Sequence, residues 1–178
     1  EKHVGSSTGR VFVVVAGTNT HRLQLLFDLA KKVQRKVILV GEPLIRTAVA
    51  AAITGNLSYD RKTEASLEDL GDLKDSEILV VATGLEGDPM NILEELAYGY
   101  DKSLTVKKGD TVIYSAEIFP GRSRQMAMIL DQFLSLGVKV IYGSRQGVHV
   151  SKHASQEELK FMLSSQQNGV CLTRLFFH

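Results

Sequence analysis

The densest group of side chains able to do chemistry lies at residues 149–155, where the sequence reads His-Val-Ser-Lys-His-Ala-Ser. Imidazole, hydroxyl and ammonium groups alternate there with small side chains. His149 and His153 are four positions apart, so a helix would place both imidazoles on one face, as metal ligands require. One hypothesis from the spacing is therefore a metal-binding pair of histidines.

A second hypothesis is an anion-binding turn at the start of a helix. Ser155 and Glu158 match a capping box, which predicts that a helix begins there and that both histidines precede it. Backbone N–H groups, Ser151, Lys152 and His153 would then converge on one anion, such as a phosphate. The third alternative is a loop that carries these side chains without any ligand.

Three further polar loops follow predicted strands, at residues 17–22, 83–88 and 116–119. The first offers hydroxyl, amide, imidazole and guanidinium groups, which suit phosphate or ribose oxygens. Its alternative role is to cap the next helix through Thr18, Asn19 or Thr20. The second loop contains two glycines that let a ligand approach the backbone, Glu86 as a candidate acid or base, and Asp88 as a helix cap.

Strands that alternate with helices must position these loops. The run Val-Phe-Val-Val-Val-Ala at residues 11–16 has no polar alternation, which is typical of a strand buried on both faces of a parallel sheet. The pattern predicts an α/β fold with an open, mostly parallel, doubly wound sheet and helices on both faces. The predicted strands are 11–16, 37–40, 77–82, 111–115 and 138–142, with a possible terminal strand at 170–176. The predicted helices lie near 23–33, 45–53, 90–98, 121–136 and 156–163, and 56–75 is expected to hold a short strand and helix joined by loops.

Composition limits the classes of protein that fit. A chain of 178 residues, 44% of them hydrophobic, suits one domain with a real core. The net charge of +1 provides no bulk attraction to nucleic acid, so any RNA contact must be local. The single Cys171 excludes an internal disulfide, and no stretch resembles a signal peptide or a membrane span. We therefore expect a soluble, cytoplasmic protein that does not contact a membrane.

Several motifs resemble the β-CASP domain of the ribonuclease J family, a branch of the nucleases with a metallo-β-lactamase fold. Residues 149–160 resemble the family's HVSGHAS segment followed by QEELK. Residues 17–22 resemble its ASNIHR-type turn, residues 83–90 its TGSQGEPM loop, and residues 108–113 its PGDTVI strand. The motifs occur in the family's order over about residues 10–165, so chance convergence is a poor explanation.

The resemblance implies a doubly wound β-CASP domain inserted in a metallo-β-lactamase fold, with RNA held between the two domains. It implies two zinc ions, bound mainly by the metallo-β-lactamase domain of the same protein. It also implies that His153 lies near the scissile phosphate as a catalytic residue. The RNA-phosphate-binding residues that it implies are Thr18, Asn19, Thr20, His149, Val150, Ser151, Lys152, His153 and Ser155.

Two departures from the family pattern matter. Lys152 replaces a glycine, which would either strain the turn or place a cation beside the bound anion. The HxHxDH zinc motif is absent, because the histidines of this chain are His3, His21, His149, His153 and His178. For His178 the alternatives are the last zinc ligand of the family and an ordinary chain end. Residues 166–178 would in the first case begin the return to the metallo-β-lactamase domain.

The leading functional hypothesis is the RNA-binding portion of a zinc-dependent ribonuclease, inactive as this piece alone. The full-length protein would be an enzyme, a 5′–3′ exonuclease, an endonuclease or both, in the processing of ribosomal RNA and the decay of messenger RNA. Homo- or hetero-oligomers are expected at full length. The alternatives are a non-catalytic scaffold subunit of an RNA-degrading complex and a stand-alone nucleotide-binding domain.

Overall fold

The computed structural model describes residues 2–17, 19–84, 88–100, 104–116 and 121–142. Several predictions concern positions outside these ranges and remain predictions. They are Thr18, Glu86, the segment His149–Ser155, the helix near 156–163, the strand at 170–176 and His178.

Six strands form one parallel sheet within the described residues. They are β1 (Val11–Val14), β2 (Lys36–Val40), β3 (Glu64–Ala65), β4 (Ile78–Ala82), β5 (Thr111–Tyr114) and β6 (Lys139–Tyr142). The spatial order is β3-β2-β4-β1-β5-β6, which places β1 between β4 and β5. All four residues of β1 are buried, as expected for a β-branched run covered on both faces.

Helices cover both faces of this sheet. They are α1 (Lys2–Gly5), α2 (Thr20–Lys32), α3 (Glu42–Ile53), α4 (Pro89–Tyr98) and α5 (Ser123–Ser135). Phe12 and Val14 of β1 face the cluster that contains α4 and α5, whereas Val11 and Val13 face the cluster that contains α2 and α3. The predicted α/β architecture is confirmed. No helix among the described residues is both long enough and apolar enough to cross a membrane.

The structure adds detail where the sequence has little periodicity. The short helix α1 was not predicted, and its Val4 is buried in the core cluster that contains α2 and α3. The stretch 56–75 was expected to hold a strand and a helix. It contains the two-residue strand β3 and 3-10 helices at Arg61–Thr63 and Glu68–Gly71, and a third begins at Asp75.

Arg35 lies between α2 and β2 and is buried, 4% exposed. Its guanidinium donates to the carbonyls of Ser7, Gly9 and Ile78. Burial lowers the pKa of Arg35. The guanidinium therefore links the chain before β1 to the start of β4 through hydrogen bonds.

A buried ion pair links the amino ends of β1 and β5. Asp110 is 1% exposed and accepts hydrogen bonds from Arg10 Nε at 3.2 Å and from Arg10 Nη2 at 2.6 Å. The same carboxylate accepts the Lys107 N–H at 2.8 Å, and Arg10 also donates to the Thr105 carbonyl. The two neighbouring strands are thus tied together before they enter the sheet.

Replacing Asp110 by asparagine should lower the free energy of unfolding by about 3 kcal/mol, because Arg10 would keep its charge in a largely buried site without a counter-ion. Urea denaturation followed by circular dichroism measures the change. The control is Arg46→Gln, which removes an exposed helix pair with Glu42 and should alter stability by less than about 0.5 kcal/mol. Equal effects of the two substitutions would contradict the assignment.

Candidate functional site at the carboxyl ends of the strands

The strand order predicts a crevice beyond the carboxyl ends of β1 and β4. These strands are hydrogen-bonded neighbours, but the chain leaves β1 for α2 on one face and leaves β4 for α4 on the other. Loops that diverge in this way leave a gap beyond the carboxyl ends of the strands, the usual position of ligands in open α/β sheets. The predicted site loops 17–22 and 83–88 both begin at this gap.

Asn19 shapes the first wall of the crevice. It is the N-cap of α2, and its Oδ1 accepts the Arg22 N–H at 2.9 Å. The capping role proposed as one alternative is therefore confirmed for Asn19, while Thr20 begins the helix. Asn19 is exposed and Thr20 is partly exposed. No hydrogen bond among the described residues uses the Nδ2 of Asn19, so the cap leaves the amide donors of this side chain available.

Arg22 does not offer its guanidinium to the crevice as the sequence suggested. Its Nη1 donates to the carbonyl oxygen of Ser115 and lies 3.1 Å from Ser115 Oγ. Burial lowers the pKa of Arg22, but a guanidinium remains charged in proteins. The contact holds the first turn of α2 against the residue that follows β5. It thereby also restrains the position of Asn19 at the start of that helix.

The second wall is built by the residues after β4. Gly84 donates its N–H to the Asp88 carbonyl at 3.1 Å, which closes the loop. A Cβ at Gly84 would lie 2.3 Å from that carbonyl oxygen and 2.8 Å from Asn91 Cβ. The start of α4 therefore occupies the space beside this glycine. The sequence had instead suggested that a ligand approaches the backbone there. Thr83 is 1% exposed, and its Oγ1 has no hydrogen-bond partner among the described residues.

An ion pair joins the starts of α4 and α5. Asp88 caps α4 by accepting the Met90 N–H at 2.9 Å, as predicted from its place before Pro89. Its Oδ2 also accepts a hydrogen bond from Arg122 Nη1 at 2.6 Å. The Asp88 side chain is 23% exposed and that of Arg122 is 41% exposed, so solvent reaches both groups. No local sequence pattern predicts this pair, because its members are 34 positions apart.

The ion pair alters the titration of three side chains. Burial alone would raise the pKa of Asp88, but hydrogen bonds from Arg122 and the Met90 N–H outweigh it and hold the pKa below its usual value. The hydrogen bond to Asp88 raises the pKa of Arg122. Burial, reinforced by the charge of Asp88, raises the pKa of Tyr114 to about 12. Near neutral pH this edge therefore holds a carboxylate, a guanidinium and a neutral phenol.

Metal ligands are not gathered in this part of the chain. No group of three or more histidine, cysteine, aspartate or glutamate side chains among the described residues has the geometry to hold a metal ion. The described residues therefore do not form a zinc site. Of the predicted RNA-binding residues, the structure describes Asn19 and Thr20, and both lie at the edge of the crevice.

Comparison with known proteins decides the family. The model of the family "Ribonuclease J, beta-CASP domain" matches residues 8–133, well over half of the chain. The chain belongs to the ribonuclease J β-CASP domain family. The matched region includes the first wall of the crevice, the second wall and both members of the Asp88–Arg122 pair.

Three curated ribonucleases J illustrate the relationship. Ribonuclease J of Thermus thermophilus is 35% identical over 164 residues, which cover 92% of this chain and 28% of that protein. Ribonuclease J of Synechocystis is 33% identical over 88% of this chain and 24% of the relative. Ribonuclease J 1 of Streptococcus pyogenes is 31% identical over 92% of this chain and 31% of the relative. The chain thus spans about a quarter to a third of the length of these relatives.

In this ribonuclease J β-CASP domain, Asp88 should make stability depend on acid pH. Its folded-state pKa lies below the ordinary value of 3.8, so the ionised carboxylate stabilises the fold above pH 3.8. That contribution is lost as the pH falls through the folded-state pKa. The difference in unfolding free energy between wild type and Asp88→Asn should be constant near neutral pH and shrink below about pH 4.

Denaturant titrations at a series of pH values measure this difference. The control is Asp72→Asn, an exposed aspartate for which no side-chain ion pair is present among the described residues. A difference between wild type and Asp88→Asn that widens on acidification would show that the ionised carboxylate does not stabilise the fold.

Proposed function

We propose that this chain is the RNA-binding portion of a ribonuclease and that cleavage requires the rest of the protein. Membership of the ribonuclease J β-CASP family supports the proposal, as do the names of the curated relatives. Those relatives extend far beyond the matched region. In a full-length protein of this kind, the residues outside the matched region would complete the catalytic site. The alternative of a stand-alone nucleotide-binding domain has no comparable support.

The observation that carries the proposal is the turn between β1 and α2, the first wall of the predicted crevice, which is held from two sides. The Asn19 cap fixes the start of α2, and the contact of Arg22 with Ser115 fixes the same turn against β5. The Asn19 amide and the Thr20 hydroxyl are then donors at a pre-formed edge, a chemistry that suits the phosphate and ribose oxygens of RNA. The net charge of +1 fits a local contact of this kind.

The reacting phosphate is proposed to meet the segment His149–Ser155. There His153 would bond to or protonate the phosphate group as negative charge grows, a role suited to imidazole near neutral pH. The hydroxyls of Ser151 and Ser155, with neighbouring backbone N–H groups, would hold adjacent phosphates. Two zinc ions, bound mainly outside this chain, would supply the nucleophile for hydrolysis, and His178 is proposed as one further ligand.

RNA binding by the 178-residue chain tests the proposal directly. Single-stranded RNA with a 5′-monophosphate should bind more tightly than any mononucleotide, because several phosphates and riboses contact the crevice at once. The affinity should fall as salt concentration rises, since bound phosphates release counter-ions. Fluorescence anisotropy against a mononucleotide panel measures both effects. Tighter binding of a mononucleotide than of RNA would instead favour a nucleotide-binding domain.

The role of His153 is tested in the full-length protein. His153→Ala should lower the cleavage rate at least about a hundredfold, because a general acid or phosphate-binding group is lost, while the zinc content stays unchanged. Single-turnover cleavage of labelled RNA and metal analysis by mass spectrometry provide the two readouts. His3→Ala, in helix α1 before β1, is the matched control and should cleave at the wild-type rate. Full activity of His153→Ala would rule out the proposed role.

A further inference from the structure

Two tyrosines at the end of α4 form an exposed aromatic surface. Gly99 ends the helix in a left-handed conformation, with φ of 66°, and donates its N–H to the Glu95 carbonyl at 2.9 Å. This reversal of the chain brings Tyr100 back over Tyr98, with ring centroids 5.8 Å apart and an interplanar angle of 20°. The glycine is needed at this position because other residues rarely adopt positive φ.

Capping of the helix does not account for the whole arrangement. The apolar contact that often closes such a cap joins the residue after the glycine to one about a turn earlier in the helix, so the contact of Tyr98 with Tyr100 is not part of the cap. Here Tyr98 remains 39% exposed and Tyr100 remains 68% exposed, so ring faces and edges are left open to solvent.

Tyr98 also lines a surface groove between α4 and α5, and Tyr100 stacks on Tyr98. Tyr98 and Met128 line its apolar part, and a hydrogen bond of 2.9 Å from Gln125 Nε2 to Glu94 Oε2 links the two helices. The charged side chains of the groove are Glu94, which accepts the Gln125 amide, and Arg124, which is exposed and takes part in none of the ion pairs among the described residues. Aromatic rings beside an unpaired guanidinium are the chemistry with which proteins bind single-stranded nucleic acid.

The groove lies beside the start of α5. Gly121 lines it and directly precedes Arg122, which pairs with Asp88 at the second wall. The lining of the groove extends from Glu94 to Tyr98 on α4, about 6 Å, a length that accommodates roughly two stacked nucleotides at about 3.4 Å each.

We propose that the groove between α4 and α5 is a second binding site for single-stranded RNA, in which bases stack on Tyr98 and Tyr100 and Arg124 contacts a phosphate. The inference rests on the proposed RNA-binding function and extends it to the outer face of the domain. Base stacking does not discriminate strongly between bases, so the site would lengthen the contact with RNA without adding sequence specificity.

The test compares RNA oligonucleotides of increasing length. The double variant Tyr98→Ala/Tyr100→Ala should bind long RNA at least about fivefold more weakly than wild type, because base stacking is lost, and should bind the shortest RNAs equally well. The double variant Tyr98→Phe/Tyr100→Phe should bind long RNA as wild type does, since the rings remain. Leu134→Ala is the control, because it truncates an apolar side chain of α5 that lies outside the groove and is as exposed as Tyr100.

A second measurement examines the charge. Arg124→Gln should reduce the slope of log affinity against log salt by about 0.7 for long RNA, the value expected for one lost phosphate contact. Arg46→Gln, which changes an exposed arginine of α3, should leave the slope unchanged. Wild-type affinity of the double alanine variant for long RNA would overturn the inference and leave RNA binding in the crevice standing. Failure of wild type to bind RNA of any length would overturn both proposals.

Discussion

The parallel pairing of β1 with β4 on one side and β5 on the other determines which loops lie next to each other at the ends of the sheet. Because β1 is hydrogen-bonded along both edges and covered on both faces, its side chains must be apolar and its polar neighbours can stand only at its two ends. The loop after β1 and the loop after β4 are thereby brought side by side. The crevice is a consequence of this strand order together with the opposite faces to which α2 and α4 depart.

The charged side chains at the two ends of the sheet differ in their exposure to solvent. At the amino ends, Arg35 and the Arg10–Asp110 pair are largely enclosed, and their donors and acceptors are used within the fold. At the carboxyl ends, the Asp88–Arg122 pair is partly open to solvent, and the Asn19 cap is exposed. An enclosed charge cannot be recruited by a ligand without a large desolvation cost, whereas a partly hydrated one can. The amino end is thus suited to holding the fold and the carboxyl end to binding.

Local pattern was enough to predict most of the architecture. The buried valine run predicted β1, three- and four-residue periodicity predicted α2, and Asp88 before a proline predicted the start of α4. The partners of the charged side chains were not predictable in this way. Arg22 contacts a residue 93 positions away, whereas the sequence of its loop suggested only helix capping or contact with phosphate and ribose oxygens. Periodicity reports which face of an element is buried, but it does not report which distant loop lies opposite a long polar side chain.

The strand order also bears on how the chain assembles during synthesis. β1 and β2 do not pair with each other, because β4 lies between them and is hydrogen-bonded to both. When β1 and β2 have left the ribosome, both are apolar segments without their shared partner. That partner, Ile78–Ala82, has not yet been translated. Synthesis proceeds at roughly 5–20 residues per second, so these segments wait for seconds before the sheet can close around β4. During that interval the nascent domain depends on its helices, or on chaperones, to keep those segments from aggregating.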